Sequence, residues 1–323
     1  MTRLVRLAEL SHDIELKNRL IGGAISIGNF DGVHLGHQEL LREVRLQASH
    51  VGGPAIAIVM DPHPASVLRP HGAPPALSTL PRRAELMSSV GIDYLLVCEA
   101  TRAFLNQTAE EFFESLVVET LRAKSIVEGP NFFFGRDRAG NVARLGQLCS
   151  GESIHLTIVD PSVRDDRMVS SSRVREAIAI GHVELAAEML GRPYRIAGNV
   201  SRGERRGREL GFPTANLTGI SHMLPGNGVF GGLAQIGISA TGQHFNRLAA
   251  IHIGPNPTFD ELRNTKVEVH LLDYDGDLYE QDLAVELILK VRDVKKFAGP
   301  EQLITQMNQD LQLIRNQIAL PLQ

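Results

Sequence analysis

In the stretch GNFDGVHLGHQELL, from Gly28 to Leu41, two histidines stand three residues apart among glycines, between an apolar run and a helix-like run. A glycine turn between strand and helix lets the backbone approach phosphate oxygens, and the helix N-terminus offers unpaired N–H groups. His34 and His37 would share one face of the first helical turn, where both imidazoles could donate hydrogen bonds to a phosphoryl group. The stretch holds no Ser or Cys nucleophile paired with a base. The pattern therefore predicts electrostatic stabilisation of phosphoryl transfer; the alternative is two ordinary capping or surface histidines.

A second string, SSSRVREAIAIGHVELAAEMLGRPY from Ser170 to Tyr194, opens a predicted helix with three serines. Arg173 and Arg175 fall in its first turn. Serine hydroxyls, N-terminal N–H groups and a guanidinium together suit triphosphate oxygens. Alone, the string favours an ordinary N-cap with surface arginines. After the histidine pair, it favours a second phosphate-binding element.

The third string is GNVSRGERRGRELGFPTANL, from Gly198 to Leu217, in which glycines and arginines alternate closely. Such a flexible basic loop suits a polyphosphate, although a solvated basic turn is the simpler alternative. A nucleic-acid patch is disfavoured, because the whole chain carries a formal net charge of -4. Thr214 and Asn216 in the following PTAN are plausible oxygen donors to magnesium. Farther along, Glu268 lies on a predicted strand in TKVEVHLLDYDGDLY, where alternation alone favours an outward-facing side chain.

The elements that position these residues change type along the chain. In the first half, apolar runs alternate with helical patterns, which predicts βαβ units and a parallel sheet. One predicted helix ends at Gly52, and another, in TAEEFFESLVVETLRA, opens with Thr108 and Glu111 as a capping box. From about Gly191 the pattern is alternating and rich in β-branched residues, which predicts an antiparallel module and small barrel.

Within that module, residues 266–291 predict one long hairpin, with Asp275-Gly276 as its turn and Val267, Val269 and Leu271 on one face. An amphipathic helix closes the chain, with Leu303, Met307, Leu311 and Ile314 along one side. The predicted domains are residues 1–190 and residues 191–323. The fold class is therefore α/β, a Rossmann-like parallel-sheet domain followed by a small antiparallel β-barrel and a helix.

The totals limit the class of protein. The chain has 323 residues, enough for two domains that each bury a core, and 43% of them are hydrophobic. Neither Cys98 nor Cys149 belongs to a CxxC motif or a Cys/His cluster, which disfavours a disulfide framework or zinc site and fits a reducing cytoplasm. Charges interrupt the N-terminal residues, so we expect no secretory signal, no membrane anchor and no membrane partner.

With these motifs together, the chain resembles the prokaryotic bifunctional riboflavin kinase/FMN adenylyltransferases, also called FAD synthetases. The resemblance spans essentially the whole chain. It rests on GNFDGVHLGH, DPHP, NFFFGRDRAG, SSSRVR, LGRPY, GRELGFPTANL, NPTF, VEVHLLDYDGDLY and KFAGPEQL. The histidine motif alone indicates only a nucleotidyltransferase, whereas its combination with the PTAN module in one chain is highly specific.

The resemblance implies a role for each matched residue. In the first module, His34 and His37 would stabilise the α-phosphate of ATP as the FMN phosphate attacks it and pyrophosphate leaves. In the second, Glu268 would be the general base for the ribityl 5′-hydroxyl of riboflavin, on a six-stranded flavokinase barrel. Mg²⁺, held in the second module by Thr214 and Asn216, would serve both steps. ATP would be bound by Gly28, Phe30, Asp31, Gly36, Ser171, Ser172 and Arg175 in the first module and by Gly203, Gly207, Pro213, Thr214 and Asn216 in the second. The flavin would lie near Pro62, His63, Pro64 and Asn131.

Three positions depart from the family pattern: His252 stands where asparagine is expected, Glu280 where glycine is usual, and Pro130 where an acidic residue is usual. Two alternatives stay open. One is a transferase of the same superfamily acting on pantetheine phosphate or nicotinate mononucleotide, against which the PTAN module speaks. The other is a flavin- or nucleotide-sensing protein in which one module has decayed. The expected partners are ATP, riboflavin and FMN, with FAD as product, and no pattern in the sequence predicts an oligomeric state.

Overall fold

The computed structural model describes residues 1–69, 72–164, 166–201, 211–236, 245–255 and 265–319. The chain forms two compact units, Met1–Ser171 and Ser172–Gln323, and each is described by itself. The predicted domain boundary at residue 190 stays a prediction.

The first unit contains a parallel sheet, as the alternation of apolar runs and helices predicts. Its strands are β1 (Arg3–Arg6), β2 (Ala24–Ile27), β3 (Ala55–Asp61), β4 (Tyr94–Glu99), β5 (Ser125–Glu128) and β8 (His155–Ile158), in the order β1-β4-β3-β2-β5-β8. Two short antiparallel pairs accompany it: β6 (Phe133–Phe134) with β7 (Gly140–Asn141), and β9 (Val163–Arg164) with β10 (Arg167–Met168). From β2 the chain adds β3 and β4 on one side and later adds β5 and β8 on the other, so the strand order reverses between the parallel strands β2 and β5. A ligand crevice is expected at such a point.

Helices cover both faces of this sheet. They are α1 (Ile14–Leu20), α2 (Leu35–Val51), α3 (Pro64–Leu68), α4 (Leu80–Ser88), α5 (Arg102–Leu105), α6 (Ala109–Phe112) and α7 (Val142–Gly151). Alternate strand residues enter two different cores. Ile56 and Ile58 of β3 pack in one core, and Ala57 and Val59 pack in the other. A sheet buried on both faces explains why its strands read as continuous apolar runs rather than alternating ones.

The predicted helix after Thr108 is confirmed at its start and differs in its later turns. Thr108 and Glu111 form the predicted capping box. After α6 the chain continues as a π-helix over Phe113–Thr120. Buried side chains recur there every four to five residues, at Phe112, Leu116 and Leu121, and Leu121 N donates to Leu116 O. This spacing fits the i→i+5 bonding of a π-helix better than the α-helical period.

The second unit is a closed antiparallel barrel with helices. Its strands are β11 (Tyr194–Ser201), β12 (Ala215–Thr218), β13 (Gly228–Ile236), β14 (Phe245–Pro255), β15 (Thr265–Leu271) and β16 (Asp282–Arg292). Around the barrel the order is β11-β12-β15-β14-β13-β16. The helices are α8 (Ser171–Ala179, whose first residue ends the first unit), α9 (Val183–Leu190) and α10 (Pro300–Gln317). Val267, Val269 and Leu271 are buried, as predicted for one face of β15.

The predicted hairpin of β15 with β16 is wrong. Strand β15 pairs with β12 on one edge and β14 on the other, whereas β16 pairs with β11 and β13. Residues 272–281, including Asp275-Gly276, form a long connection between strands that are not neighbours. Both edges of β15 are satisfied by other strands, so barrel closure overrides the local turn signal.

Candidate functional site

The first candidate site is the turn between β2 and α2, at the sheet position where the strand order reverses. Phe30 and Val33 adopt left-handed backbone conformations with φ of 46° and 40°. Such conformations cost roughly 1–3 kcal/mol for residues other than glycine, so surrounding structure must impose them. Both side chains are fully buried, Phe30 lying over Gly28, where an added Cβ would come within 3.3 Å of the ring. The core thus holds this turn in one shape.

The two histidines meet at the start of α2. His34 is the N-cap residue, and its Nδ1 accepts a hydrogen bond from His37 N at 3.3 Å. The two imidazole rings stack with centroids 3.6 Å apart, and the Phe30 and His37 rings meet in a T-shaped contact with centroids 5.2 Å apart. Gly36 lies against His34, where a Cβ would be 3.4 Å from the ring. Both imidazoles therefore lie together at a helix N-terminus. His34 also caps the helix, as the alternative interpretation of ordinary capping histidines expects.

The Asp31 carboxylate stabilises the histidine turn through buried hydrogen bonds. It is buried and accepts hydrogen bonds from Leu77 N, from Ser78 N and Oγ, and from Arg83 at 2.9 Å. Arg83 also donates to Asn29 O at 3.0 Å. These bonds connect the histidine turn to the start of α4. Through them, Asp31 helps to fix the position of the turn. Sequence reasoning missed Ser78 and Arg83, because their partners lie about fifty positions away and no local pattern marks them.

Other predicted residues join this turn to different degrees. Ser171 Oγ donates to Asp31 O at 2.9 Å, which brings the first serine of α8 to the turn. Ser172 and Arg175 follow on the same helix in the second compact unit, and their contact with ATP stays a prediction.

The DPHP turn is brought to the same site, and Asn131 contacts the short β9–β10 pair. The Asp61–Pro62 peptide is cis, and His63 caps α3, starting at Pro64, by accepting from Ala65 N. His63 Nε2 lies 3.0 Å from the side-chain amide of Asn29 in the histidine turn. Asn131 is exposed and lies 3.7 Å from Met168 Sδ in the short β9–β10 pair. The flavin contacts of these residues stay predictions.

The second candidate site is a cavity of about 550 Å³ beside the PTAN turn. It is lined by residues 213–216 and 274–279, together with Val200, Val269 and Leu271. The Asn216 Oδ1 atom is buried and has no hydrogen-bond partner among the described residues. An unsatisfied buried oxygen beside a cavity is costly unless a ligand pairs with it. Gly203 and Gly207, predicted to bind ATP here, lie outside the described residues.

Glu268 lies beside Asn216 on the neighbouring barrel strand. The two residues are directly paired between β12 and β15, and His252 of β14 is the next partner in the same row. Glu268 Oε1 is 2.8 Å from Lys266 Nζ, and Oε2 is 3.5 Å from His252 Nδ1. The His252 imidazole and then the Lys266 ammonium lower the pKa of Glu268 to about 2, against the opposing effect of burial. The carboxylate is therefore ionised across the neutral range.

A further histidine holds the PTAN turn. His270 Nδ1 lies 2.8 Å from Pro213 O, and its ring packs edge-on against Phe212. Because β15 carries both Glu268 and His270 on its outward face, one strand fixes the predicted base and the predicted ATP turn together. Sequence reasoning missed His270 and Lys266; their period-two spacing around Glu268 was the available signal.

Comparisons with known proteins cover both candidate sites. The FAD synthetase family model matches residues 17–173, and the riboflavin kinase family model matches residues 190–318. A bifunctional riboflavin kinase/FMN adenylyltransferase of Pseudomonas fluorescens is 34% identical, over 94% of this chain and 95% of its own. The one from Haemophilus influenzae is 33% identical, over 94% and 97%. This chain belongs to the bifunctional riboflavin kinase/FMN adenylyltransferase family.

A solved structure described as a macrolide-efflux protein from Streptococcus pneumoniae also has the two-part fold of this family member. It matches with a TM-score of 0.82 and 28% identity, over 92% of this chain and 95% of that one. In the part of this chain that the structure describes, no helix has the length and apolarity needed to cross a membrane.

One departure from the family pattern has a direct structural reading. Glu280 has φ of 63°, in the left-handed region that glycine enters without steric cost. Its backbone N–H donates to Val200 O at 3.0 Å, which ties the 272–281 connection to β11. The backbone of this family member thus retains the glycine-type conformation although the residue is glutamate. Pro130 stands in the exposed turn before β6, and nothing in the structure explains it.

Sequence reasoning left out Glu128, a fully buried carboxyl at the end of β5. Paired residues between β2 and β5 stop at Ile25 and Ile126, and Glu128 Oε1 then accepts from Ile27 N at 2.7 Å. The side chain takes the place of a ladder bond where the two strands separate. Burial raises the pKa of Glu128 well above its ordinary value, and the bond from Ile27 only partly opposes this.

This burial predicts a pH-dependent effect of Glu128→Gln. The unfolded carboxyl loses its proton above a pH of about 4.3, whereas the folded one keeps it to higher pH. The native protein therefore loses stability as pH rises from that value towards the folded pKa, and glutamine avoids the loss. In urea unfolding of the full chain, Glu128→Gln should gain more over the native protein at pH 8 than at pH 5. Glu99→Gln, at the exposed end of β4, should show no such difference; equal gains at both pH values would refute the assignment.

Proposed function

We propose that the barrel module transfers the γ-phosphoryl group of ATP to riboflavin to form FMN, and that the parallel-sheet module transfers the adenylyl group of a second ATP to FMN to form FAD. The observation that carries the proposal is similarity over 94% of the chain to enzymes named for both activities. The histidine pair opens a helix next to the strand where the sheet order reverses, and Asn216 and Glu268 are directly paired on adjacent barrel strands, which supports the proposal.

In the first module, a phosphate oxygen of FMN attacks the α-phosphorus of ATP, and the bond to the β-phosphate oxygen breaks to release pyrophosphate. Negative charge grows on the α-phosphate oxygens as this occurs. His34 and His37 are stacked at the N-terminus of α2, where their N–H groups and the helix dipole both favour that charge. Asp31 and Arg83 hold the turn and so keep the imidazoles in place before the substrate arrives.

In the second module, Glu268 accepts the proton of the ribityl 5′-hydroxyl as the hydroxyl oxygen bonds to the γ-phosphorus and ADP leaves. A carboxylate whose pKa is about 2 is a weak base. Phosphoryl transfer through a loose transition state demands little proton abstraction early on, so orientation of the hydroxyl is the larger contribution. The carboxylate is suited to that task because Lys266 Nζ lies 2.8 Å from its Oε1.

Magnesium fits the donors at the PTAN turn. Thr214 offers a hydroxyl oxygen and Asn216 offers the buried amide oxygen that lacks a hydrogen-bond partner among the described residues. Both are hard oxygen ligands, and Mg²⁺ commonly takes one or two protein ligands and completes its shell with phosphate oxygens and water. Bound there, Mg²⁺ would neutralise charge on the ATP phosphates. We also propose a cytoplasmic location, supported by two cysteines that are both free and buried.

The test is to incubate the protein with riboflavin and ATP, with Mg²⁺ or with excess EDTA, and to separate the flavins by chromatography. We expect FMN to appear first and FAD to follow with Mg²⁺, and neither with EDTA. A second reaction from FMN and ATP, followed by pyrophosphate release, measures the first module alone. FMN without FAD would show that the first module is inactive. FAD from FMN with riboflavin unchanged would show that the barrel has decayed, and no conversion of either flavin would favour a sensing protein.

A further inference from the structure

We propose that His252 is a positioning residue for the kinase reaction, which acts by holding the Glu268 carboxylate in the orientation needed to receive the riboflavin proton. The inference rests on the proposed role of Glu268 and goes beyond it. The family pattern has asparagine at this position, so the resemblance assigns the imidazole no role.

The barrel register places the two residues together. His252 of β14 and Glu268 of β15 are directly paired, as are Glu268 and Asn216 of β12. Directly paired residues of antiparallel strands project from the same face, with Cβ atoms about 4.5–5.5 Å apart. Val267 and Val269, on either side of Glu268, are buried in the barrel, so this row lies on the outward face.

Each carboxylate oxygen of Glu268 has a different neighbour. Lys266, two positions earlier on the same face of β15, lies 2.8 Å from Oε1, and His252 Nδ1 lies 3.5 Å from Oε2. The second distance is longer than an ordinary hydrogen bond and is a close polar contact between the imidazole and the carboxylate. Lys266 alone would leave the carboxyl plane free to turn about its last bond. With neighbours on both oxygens, that rotation is restrained, because turning the plane moves an oxygen away from at least one of these polar neighbours.

The imidazole that restrains Glu268 is itself held in place. His252 Nδ1 has no solvent exposure, although the side chain as a whole is 36% exposed. Gly254 lies against the ring on the same strand face, where an added Cβ would come within 3.0 Å of Cε1 and Nε2. A side chain at position 254 would therefore displace the imidazole. The missing side chain of Gly254 leaves the space in which the ring lies beside Glu268.

Orientation of this carboxylate matters because it must receive a proton from a hydroxyl that attacks in line with the departing ADP oxygen. Loss of orientation lowers the rate of the bound complex and leaves substrate affinity nearly unchanged. A misplacement of about 1 Å can cost roughly 100-fold. Since Glu268 retains its other neighbour, Lys266, when the imidazole is removed, we expect a loss of only roughly 10- to 100-fold.

The test compares His252→Ala and His252→Leu with His252→Asn, which restores an N–H donor of the type that the family pattern has here. The kcat and KM of FMN formation from riboflavin are measured at varied Mg-ATP and riboflavin. We expect both donor-free variants to lose kcat with both KM values little changed, and His252→Asn to recover most of it. His182→Ala, an exposed histidine of the same unit, is the matched control and should keep native kinetics. FAD formation from FMN reports on the first module in the same sample.

A double-mutant cycle separates a positioning role from a structural one. In a Glu268→Gln background, His252→Ala should cause no further loss, because the carboxylate that it orients is gone. Equal losses in both backgrounds would overturn the proposal, as would raised KM values with unchanged kcat. Thermal unfolding of each variant shows whether its barrel is folded. If His252→Ala does not fold, the kcat of His252→Leu, alone and in the Glu268→Gln background, decides between the two roles. If Glu268→Gln itself retains FMN formation, the proposed function of Glu268 fails, and that result differs from any failure of His252.

Discussion

Replacing His37 with alanine is expected to lower FAD formation from FMN by about 100- to 1,000-fold, which is the usual cost of removing one donor to a developing oxyanion. The imidazole lies at the N-terminus of α2, stacked on His34 and packed against the edge of Phe30. Removing it takes away a donor aimed at the α-phosphate, while the capping bond from His37 N to His34 remains. Pyrophosphate release from FMN and ATP is the measurement. FMN formation from riboflavin should be unchanged, so riboflavin incubations should stop at FMN.

His50→Ala is the matched control for this variant. His50 is an exposed histidine in the last turn of the same helix and contributes nothing to the candidate site. It should retain native rates in both reactions. His37 is preferred to His34 as the test, because loss of the His34 side chain would also remove the helix cap, at about 1 kcal/mol. Unimpaired FAD formation by His37→Ala would leave the histidine pair as ordinary capping residues.

Replacing Glu268 with glutamine is expected to lower FMN formation from riboflavin by about 100- to 10,000-fold, the usual contribution of general base catalysis. Glutamine keeps the size of the side chain and an oxygen that Lys266 can bind, and it removes the proton acceptor. FAD formation from added FMN should be unaffected, so His37→Ala and Glu268→Gln fail in opposite reactions. Because the pKa of Glu268 is about 2, the native kinase rate should show no loss assignable to this carboxyl between pH 5 and pH 8.

Asp273→Asn is the control for loss of a carboxylate. Asp273 follows β15 and forms an exposed ion pair with Arg315, a type of contact that solvent screens and that contributes little to stability. This variant should retain both activities. If Glu268→Gln also retained FMN formation, Glu268 would be an outward strand residue, as the alternation of its strand alone suggests. Another group would then have to receive the proton.

The fold class could be predicted from local signals and from motif resemblance, and the same signals select the residues of the candidate sites. The capping box at Thr108 and the glycine that ends α2 act within one helical turn, where neighbouring residues decide the conformation. A parallel sheet follows from periodicity and a six-strand barrel from the motif resemblance, and both are present; the edge strand β1 of the sheet was not predicted. The histidine pair was identifiable because its chemistry and spacing occur within one short segment.

What local signals could not predict depended on partners far away in the chain. The turn at Asp275-Gly276 indicated a hairpin, but β15 and β16 each pair with two other strands, since closing the barrel satisfies more backbone hydrogen bonds than one isolated hairpin.

The support of each site was equally hidden. Arg83 beneath Asp31, and His252 beside Glu268, lie 52 and 16 positions from the residues that they hold. By itself the sequence determined which elements form and which chemical groups the chain carries. Only the tertiary structure decided which of those groups meet, because side-chain contacts depend on sheet order and strand register rather than on distance along the chain.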